Sequence, residues 1–191
     1  MYPSFRLLPR LRRPVLRALV AAAALPLLGG CTLLSPWPTL ELIKGAGVAT
    51  STALAYAPVK ATQTVHHGDA PVRGLCVEYN RDMPLDELVP ALQAELKTLG
   101  VTSRVYEAGT GLQACQFWLR YVVSIEWAVP PLGREYRAYM SSAALSLHRA
   151  DGTLMASSAY AADQDYGSGR WASTRRKIAP VVKAVITGFE S

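Results

Sequence analysis

The stretch Cys115–Trp127, "CQFWLRYVVSIEW", constrains the fold more than any other part of the chain. Phe117, Leu119, Tyr121, Val123, Ile125 and Trp127 recur at every second position, and Trp118, Arg120, Val122, Ser124 and Glu126 fill the places between. Successive side chains of a strand point to opposite faces, so one face here is wholly apolar and the other mixed. Such a strand belongs in a sheet covered on one side, the usual habit of antiparallel sheets. After "AVPPLG" come two more strand-like runs, "REYRAYMSSAALSLHRA" and "GTLMASSAYAAD". They meet at Asp151-Gly152, a dipeptide that supplies the positive φ angles of a tight hairpin.

Upstream, "VRGLCVEYN" (72–80) predicts a strand with Leu75, Val77 and Tyr79 alternating. Pro84 to Leu99 predicts a helix, with Pro84 at the first position, Asp86 and Glu87 in the first turn and Gly100 as the stop. Leu85, Leu88, Val89, Leu92, Leu96 and Leu99 make its apolar face. "VTSRVYE" (101–107) predicts a further strand and "AGTGLQA" a loop. A last helix is predicted over 173–189, with Ile178, Val181, Val182, Val185, Ile186 and Phe189 as its stripe and Pro180 near its start. The element order is therefore β-α-β-β-β-β-α. The predicted fold class is α+β, a two-layer sandwich of about 4–5 mainly antiparallel strands with both helices on one face.

The N-terminus constrains location rather than fold. Arg6, Arg10, Arg12, Arg13 and Arg17 precede an apolar run, Ala18 to Leu28, and residues 1–30 hold no acidic residue. The run has the length of a signal-peptide core and is too short to span a bilayer as a helix. Leu28-Gly29-Gly30-Cys31 resembles the bacterial lipobox. That resemblance implies cleavage before Cys31 and lipidation of its thiol, with Thr32 in the position that favours the outer membrane. An ordinary signal peptide or an uncleaved anchor is the plainer alternative. The net charge of +6 falls to +1 from Cys31 onward, which removes the main support for a nucleic-acid partner. Residues 31–70 read as the lipidated end and a tether. Within it Ser35-Pro-Trp-Pro38 excludes a regular helix, and 39–57 permits only a weak one. The globular domain is expected over 71–191.

Two cysteines remain, Cys76 and Cys115. In an oxidising compartment they are expected to pair. Strand parity objects, since Cys115 alternates with Phe117 whereas Cys76 lies opposite Leu75 and Val77. A bulge or a fully buried first strand would reconcile them; two free buried thiols or a reactive thiol are the alternatives.

Motifs for chemistry are sparse. His66, His67 and His148 show no zinc-ligand spacing, and no phosphate-binding loop, nucleophile elbow or penicillin-binding signature occurs. No catalytic residue, metal or cofactor is assigned. His66-His67 reads as a solvated pair in the linker. The most suggestive polar stretch is "DQDYGSGRWASTRRKI" (163–178). Arg170, Arg175, Arg176 and Lys177 gather at the start of the last helix, where cations oppose the helix dipole. They form a candidate anion-binding group for a phosphate or lipid headgroup, against the plainer reading of a solvated basic edge. Trp171 reads as a packing residue or a loop anchor.

"TVHHGDAPVRGLCVEYN", "GVTSRVYE", "CQFWLRYV…EW" and "STRRKIAPVV" together resemble a family of small proteobacterial lipoproteins with no established activity, over residues 63–188. The cysteine pair is the most specific shared feature. The element order is also similar to that of the lipopolysaccharide-assembly lipoprotein that plugs an outer-membrane barrel, an analogy of fold only. The implied protein is a lipid-anchored, periplasm-facing module at the inner leaflet of the outer membrane. Its expected partners are the membrane through Cys31 and an envelope protein or anionic lipid. A hydrolase or transferase without a recognisable motif, or a purely structural lipoprotein, is the alternative.

Overall fold

The computed structural model describes residues 36–68, 71–83, 85–111, 113–162 and 168–190. The leader, Cys31 and Pro84 lie outside the described residues. The chain divides into two compact units, Met1–Gly47 and Val48–Ser191. Helix α1 covers Pro36–Ala55. Pro36 and Pro38, expected to exclude a helix, fall in its first turn, where backbone N–H groups have no intrahelical partner to lose.

The second unit holds six strands and two further helices. They are β1 (Thr62–His66), β2 (Gly74–Tyr79), α2 (Leu88–Thr98), β3 (Thr102–Glu107), β4 (Phe117–Ala128), β5 (Arg137–Arg149), β6 (Leu154–Ala161) and α3 (Thr174–Thr187). One sheet carries them in the order β1-β6-β5-β4-β2-β3. β4, β5, β6 and β1 pair antiparallel, whereas β2 is parallel to both β3 and β4. The fold class is α+β, but the sheet is mixed and six-stranded, so the expected strand count and order are corrected. The parallel pair arises because α2 returns the chain to the starting end of β2. The sixth strand, β1, has the sequence TQTVH and is almost wholly exposed, so it shows no apolar alternation. It is held by its ladder to β6.

The β4 alternation produces the core. Leu119 pairs with Leu147, Tyr121 with Leu145 and Val123 with Ala143, all buried. Val77 of β2 and Tyr160 of β6 extend this face. Leu88, Leu92 and Leu96 of α2 and Ile178, Val181, Val182 and Val185 of α3 belong to the same buried cluster. Burying each such side chain contributes about 1.5–3 kcal/mol before entropy is counted.

Three boundaries differ from expectation. α2 begins at Leu88, not Pro84, which puts Pro90 in its first turn, where the missing N–H costs no intrahelical bond; α3, by contrast, carries Pro180 in its second turn. α3 ends at Thr187, where Gly188 takes the left-handed conformation (φ 78°). Phe189 is therefore outside the helix and 73% exposed. Trp127, paired with Ala138 beyond a register shift that skips Ser141 of β5, is exposed rather than in the core.

Cys76 and Cys115 form a disulfide with Cα atoms 5.8 Å apart. The parity objection dissolves on two counts. β2 buries Leu75, Cys76 and Val77 together, and Cys115 precedes the first residue of β4, so its side chain obeys no strand alternation. The bridge lies on the sheet face opposite the helices, beside buried Trp118, whose ring is 5.9 Å from that of Tyr106. Gly111 (φ 62°) closes over the Tyr106 ring, where any Cβ would clash. The bridge spans 39 residues of sequence. Replacing both cysteines by alanine is expected to lower the unfolding free energy by about 4 kcal/mol, measured by urea titration.

Candidate functional site

The turn before α3 is fixed from two sides. Gly169 N donates to Leu54 O (2.9 Å) and Trp171 N to Ala55 O (2.8 Å), so the turn is bonded to the last residues of α1. Gly169 has φ 70°, and a Cβ there would run into Val59. The Ser173 side chain then caps α3 by accepting from Arg176 N (3.4 Å).

The predicted basic group does not stay together. Residues 175–177 follow the helical rotation of 100° per residue onto three directions. Arg175 pairs with Glu95 of α2. Arg176 is exposed and borders a separate groove of about 610 Å³ with Pro180 and Lys183. Lys177 turns inward and is only 2% exposed. Its Nζ donates to Met140 O (2.8 Å) and to Arg170 O (2.6 Å). Thus Arg170 and Lys177 are brought together, and Arg175 and Arg176 are not.

Around Lys177 lies an aromatic and basic cluster. Its Nζ is 5.5 Å from the Tyr139 ring centroid and 5.9 Å from that of Tyr160. The Arg170 guanidinium also lies over Tyr139, at 5.5 Å, and Trp171 packs on the same ring at 5.3 Å. The Tyr139 hydroxyl donates to Glu126 Oε2 (2.8 Å). Burial lowers the Lys177 ammonium to about 8, because a cation in a dry site lacks hydration. Burial raises the Tyr160 phenol to about 12 for the converse reason.

A cleft of about 390 Å³ opens beside this cluster. Arg137, Tyr139, Arg170, Trp171, Thr174 and Lys177 line it, with Ile125 and Met140 as apolar contacts and Glu87 as the acidic one. Thr174 Oγ1 donates to Glu87 Oε2 (3.3 Å) and so engages that carboxylate. Arg137 and Arg170 bring two guanidinium groups to the cleft, donors suited to an anion, while the Lys177 ammonium is engaged with two carbonyls. Arg137 was not legible in the sequence: it is remote from Arg170 in the chain and reaches the cleft as the first residue of β5. His66 and His148 serve a turn and a hairpin. His66 Nδ1 accepts from Gly68 N (3.1 Å), and His148 contacts Ser146 Oγ (3.0 Å) and Gly152 O (3.2 Å). Among the described residues, no group of three or more His, Cys, Asp or Glu converges on a point that could hold a metal. No described helix is long and apolar enough to cross a membrane.

No protein-family model and no curated protein matches the chain. Among solved structures, the chain is similar to PelC from Paraburkholderia phytofirmans, solved as a dodecamer. A point variant of that protein aligns at 15% identity over 66% of this chain and 98% of that one, with a TM-score of 0.47. A second PelC dodecamer aligns at 12% identity over 64% and 97%, with a TM-score of 0.39.

The buried ammonium makes stability depend on pH. Below pH 8 Lys177 is charged in folded and unfolded chains alike, and its burial penalty is fully present. Between about 8 and its ordinary 10.5 the unfolded chain binds a proton that the folded chain does not, so stability rises with pH. The gain is at most about 3 kcal/mol. Urea titrations from pH 7 to 10 are expected to show it in the native chain, and Lys177→Met is expected to abolish that increment.

Proposed function

We propose that the mature chain is a lipid-anchored, periplasm-facing lipoprotein of the bacterial cell envelope, held by Cys31 at the inner leaflet of the outer membrane. It acts as a non-enzymatic binding module. The support for anchoring is the sequence Leu28-Gly29-Gly30-Cys31 behind a basic, short apolar leader. Two or more acyl chains on the first residue would provide stable attachment. In this reading α2 and α3 form one layer and the sheet the other, a two-layer sandwich whose site lies at one end.

The observation that carries the binding role is the cleft that gathers Arg137, Arg170 and Lys177 around the Tyr139–Trp171 pair. Its ligand is an anionic oxygen group of the phosphate type, from a lipid headgroup or from a free phosphate. Lys177 holds the cleft wall by bonding two carbonyls, and the two arginines provide the accessible charge.

Two measurements test this. Cys31→Ser is expected to move the protein out of the membrane fraction; unchanged fractionation would refute anchoring. For the cleft, the mature chain without lipid is mixed with phosphatidylglycerol vesicles, phosphatidylcholine vesicles or inorganic phosphate. Each of Arg137→Gln and Arg170→Gln is expected to weaken phosphatidylglycerol binding about fivefold, since a basic residue at an anionic surface contributes about 1 kcal/mol. An equal loss with inorganic phosphate identifies the free ion as the ligand. No loss with either ligand rejects the cleft.

A further inference from the structure

The β4–β5 connection ends in a surface that neither the fold nor the cleft uses. Trp127, Val129, Leu132 and Tyr136 lie within one short stretch and are all exposed, Trp127 at 67%, Tyr136 at 71% and Leu132 at 83%. Single exposed apolar residues are ordinary; four within ten residues of one connection call for a reason.

Leu132 is the informative member. Pro130-Pro131-Leu132-Gly133 closes a turn through Gly133 N to Pro130 O (2.9 Å). Proline stands at the second position, and the third has φ 63°, as in a type II turn. That third position is normally glycine or asparagine, because a Cβ is strained at positive φ. Gly133 is required for a different reason: a Cβ there would meet the Pro130 ring at 2.7 Å. A leucine at the strained position gains nothing from the backbone, and at 83% exposure it gains nothing from packing.

We infer that this tip is a second membrane contact, with Leu132 inserting among acyl chains and Trp127 and Tyr136 seated at the headgroup level. The inference rests on the lipid-anchored reading above. Trp and Tyr favour the membrane interface, where an apolar ring and a polar edge are both satisfied. Arg134 and Arg137 are exposed beside them, with Glu126 and Glu135 as the acidic residues of 126–137. The two exposed guanidinium groups are suited to anionic headgroups. Tyr56, just after α1, lines one cavity with Pro130, Leu132 and Arg137. An acyl anchor alone confines the domain near the bilayer, so a weak second contact suffices to orient it. Arg137 also lines the anion cleft, so a seated tip presents that cleft to the headgroups.

The test uses the full lipidated chain reconstituted in phosphatidylethanolamine–phosphatidylglycerol vesicles. A fluorophore is placed at Leu132→Cys or, at the opposite end of the sheet, at Phe189→Cys. Lipids brominated along their acyl chains are expected to quench the label at 132 strongly and the label at 189 not at all. Absence of quenching at 132, or equal quenching at both sites, would overturn the proposal. Shielding of the 132 label that grows with protein concentration, without lipid quenching, would assign the tip to a second copy instead and also overturn it. Leu132→Gly separates this role from a structural one: lipid penetration by the tip is lost while the melting temperature does not fall. A lowered melting temperature would return Leu132 to the fold. Mass spectrometry of Cys31 is read in parallel. An unlipidated Cys31 refutes the anchoring reading by itself, and the 132 label still reports on the tip when vesicles are added.

Discussion

The rest of the structure depends on the apolar face shared by β4 and β5. Leu119–Leu147, Tyr121–Leu145 and Val123–Ala143 form three successive cross-strand pairs with both members buried. Cross-strand pairs are the unit of sheet stabilisation, and here they also provide the surface on which α2 and α3 lay their stripes. Shifting this register by one residue would place Arg120 and Ser124 in the core. The register shift after Ser124 therefore has a clear consequence. It skips Ser141 of β5, and beyond it the same two strands continue into a segment in which Trp127 faces solvent. One ladder carries the core at one end and the exposed tip at the other.

Lys177 couples the core to the cleft. It sits one turn into α3, beside Ile178, which is fully buried, yet its ammonium bonds a carbonyl of β5 and one of the turn 168–172. A buried charge is costly, and removing a partner costs more than the pair contributes. The turn is thus held from both sides, by Lys177 on one and by the last residues of α1 on the other. That arrangement places Arg170 and Trp171 over Tyr139 without asking the exposed residues to organise themselves.

Much of the fold was legible in the sequence, and the failures have physical causes. The β4 alternation, the Asp151-Gly152 hairpin and the α3 stripe of Ile178, Val181, Val182 and Val185 are all periodic signals backed by burial. β1 escaped because an exposed edge strand needs only backbone bonds, which leave no pattern in side chains. The mixed sheet escaped because β2 and β3 look alike whether parallel or antiparallel. Phe189 was misplaced because a left-handed glycine ends α3 before it, and Trp127 because the apolar face of β4 is not covered at that end of the strand. The cleft was half legible: Arg170 and Lys177 are neighbours of one turn, whereas Arg137 arrives through the sheet. The disulfide was legible as a pair of cysteines, and the loop position of Cys115 removed the parity conflict.

The division of the β4–β5 ladder into a buried end and a projecting end is tested most directly by hydrogen exchange along both strands, with and without vesicles. In the free chain, amides paired over Leu119–Val123 and Ala143–Leu147 are expected to exchange only through global unfolding. Amides beyond the register shift, in 126–128 and 137–139, are expected to exchange faster through local opening and to gain protection on vesicles. Uniform protection along the whole ladder, unchanged by lipid, would contradict the account.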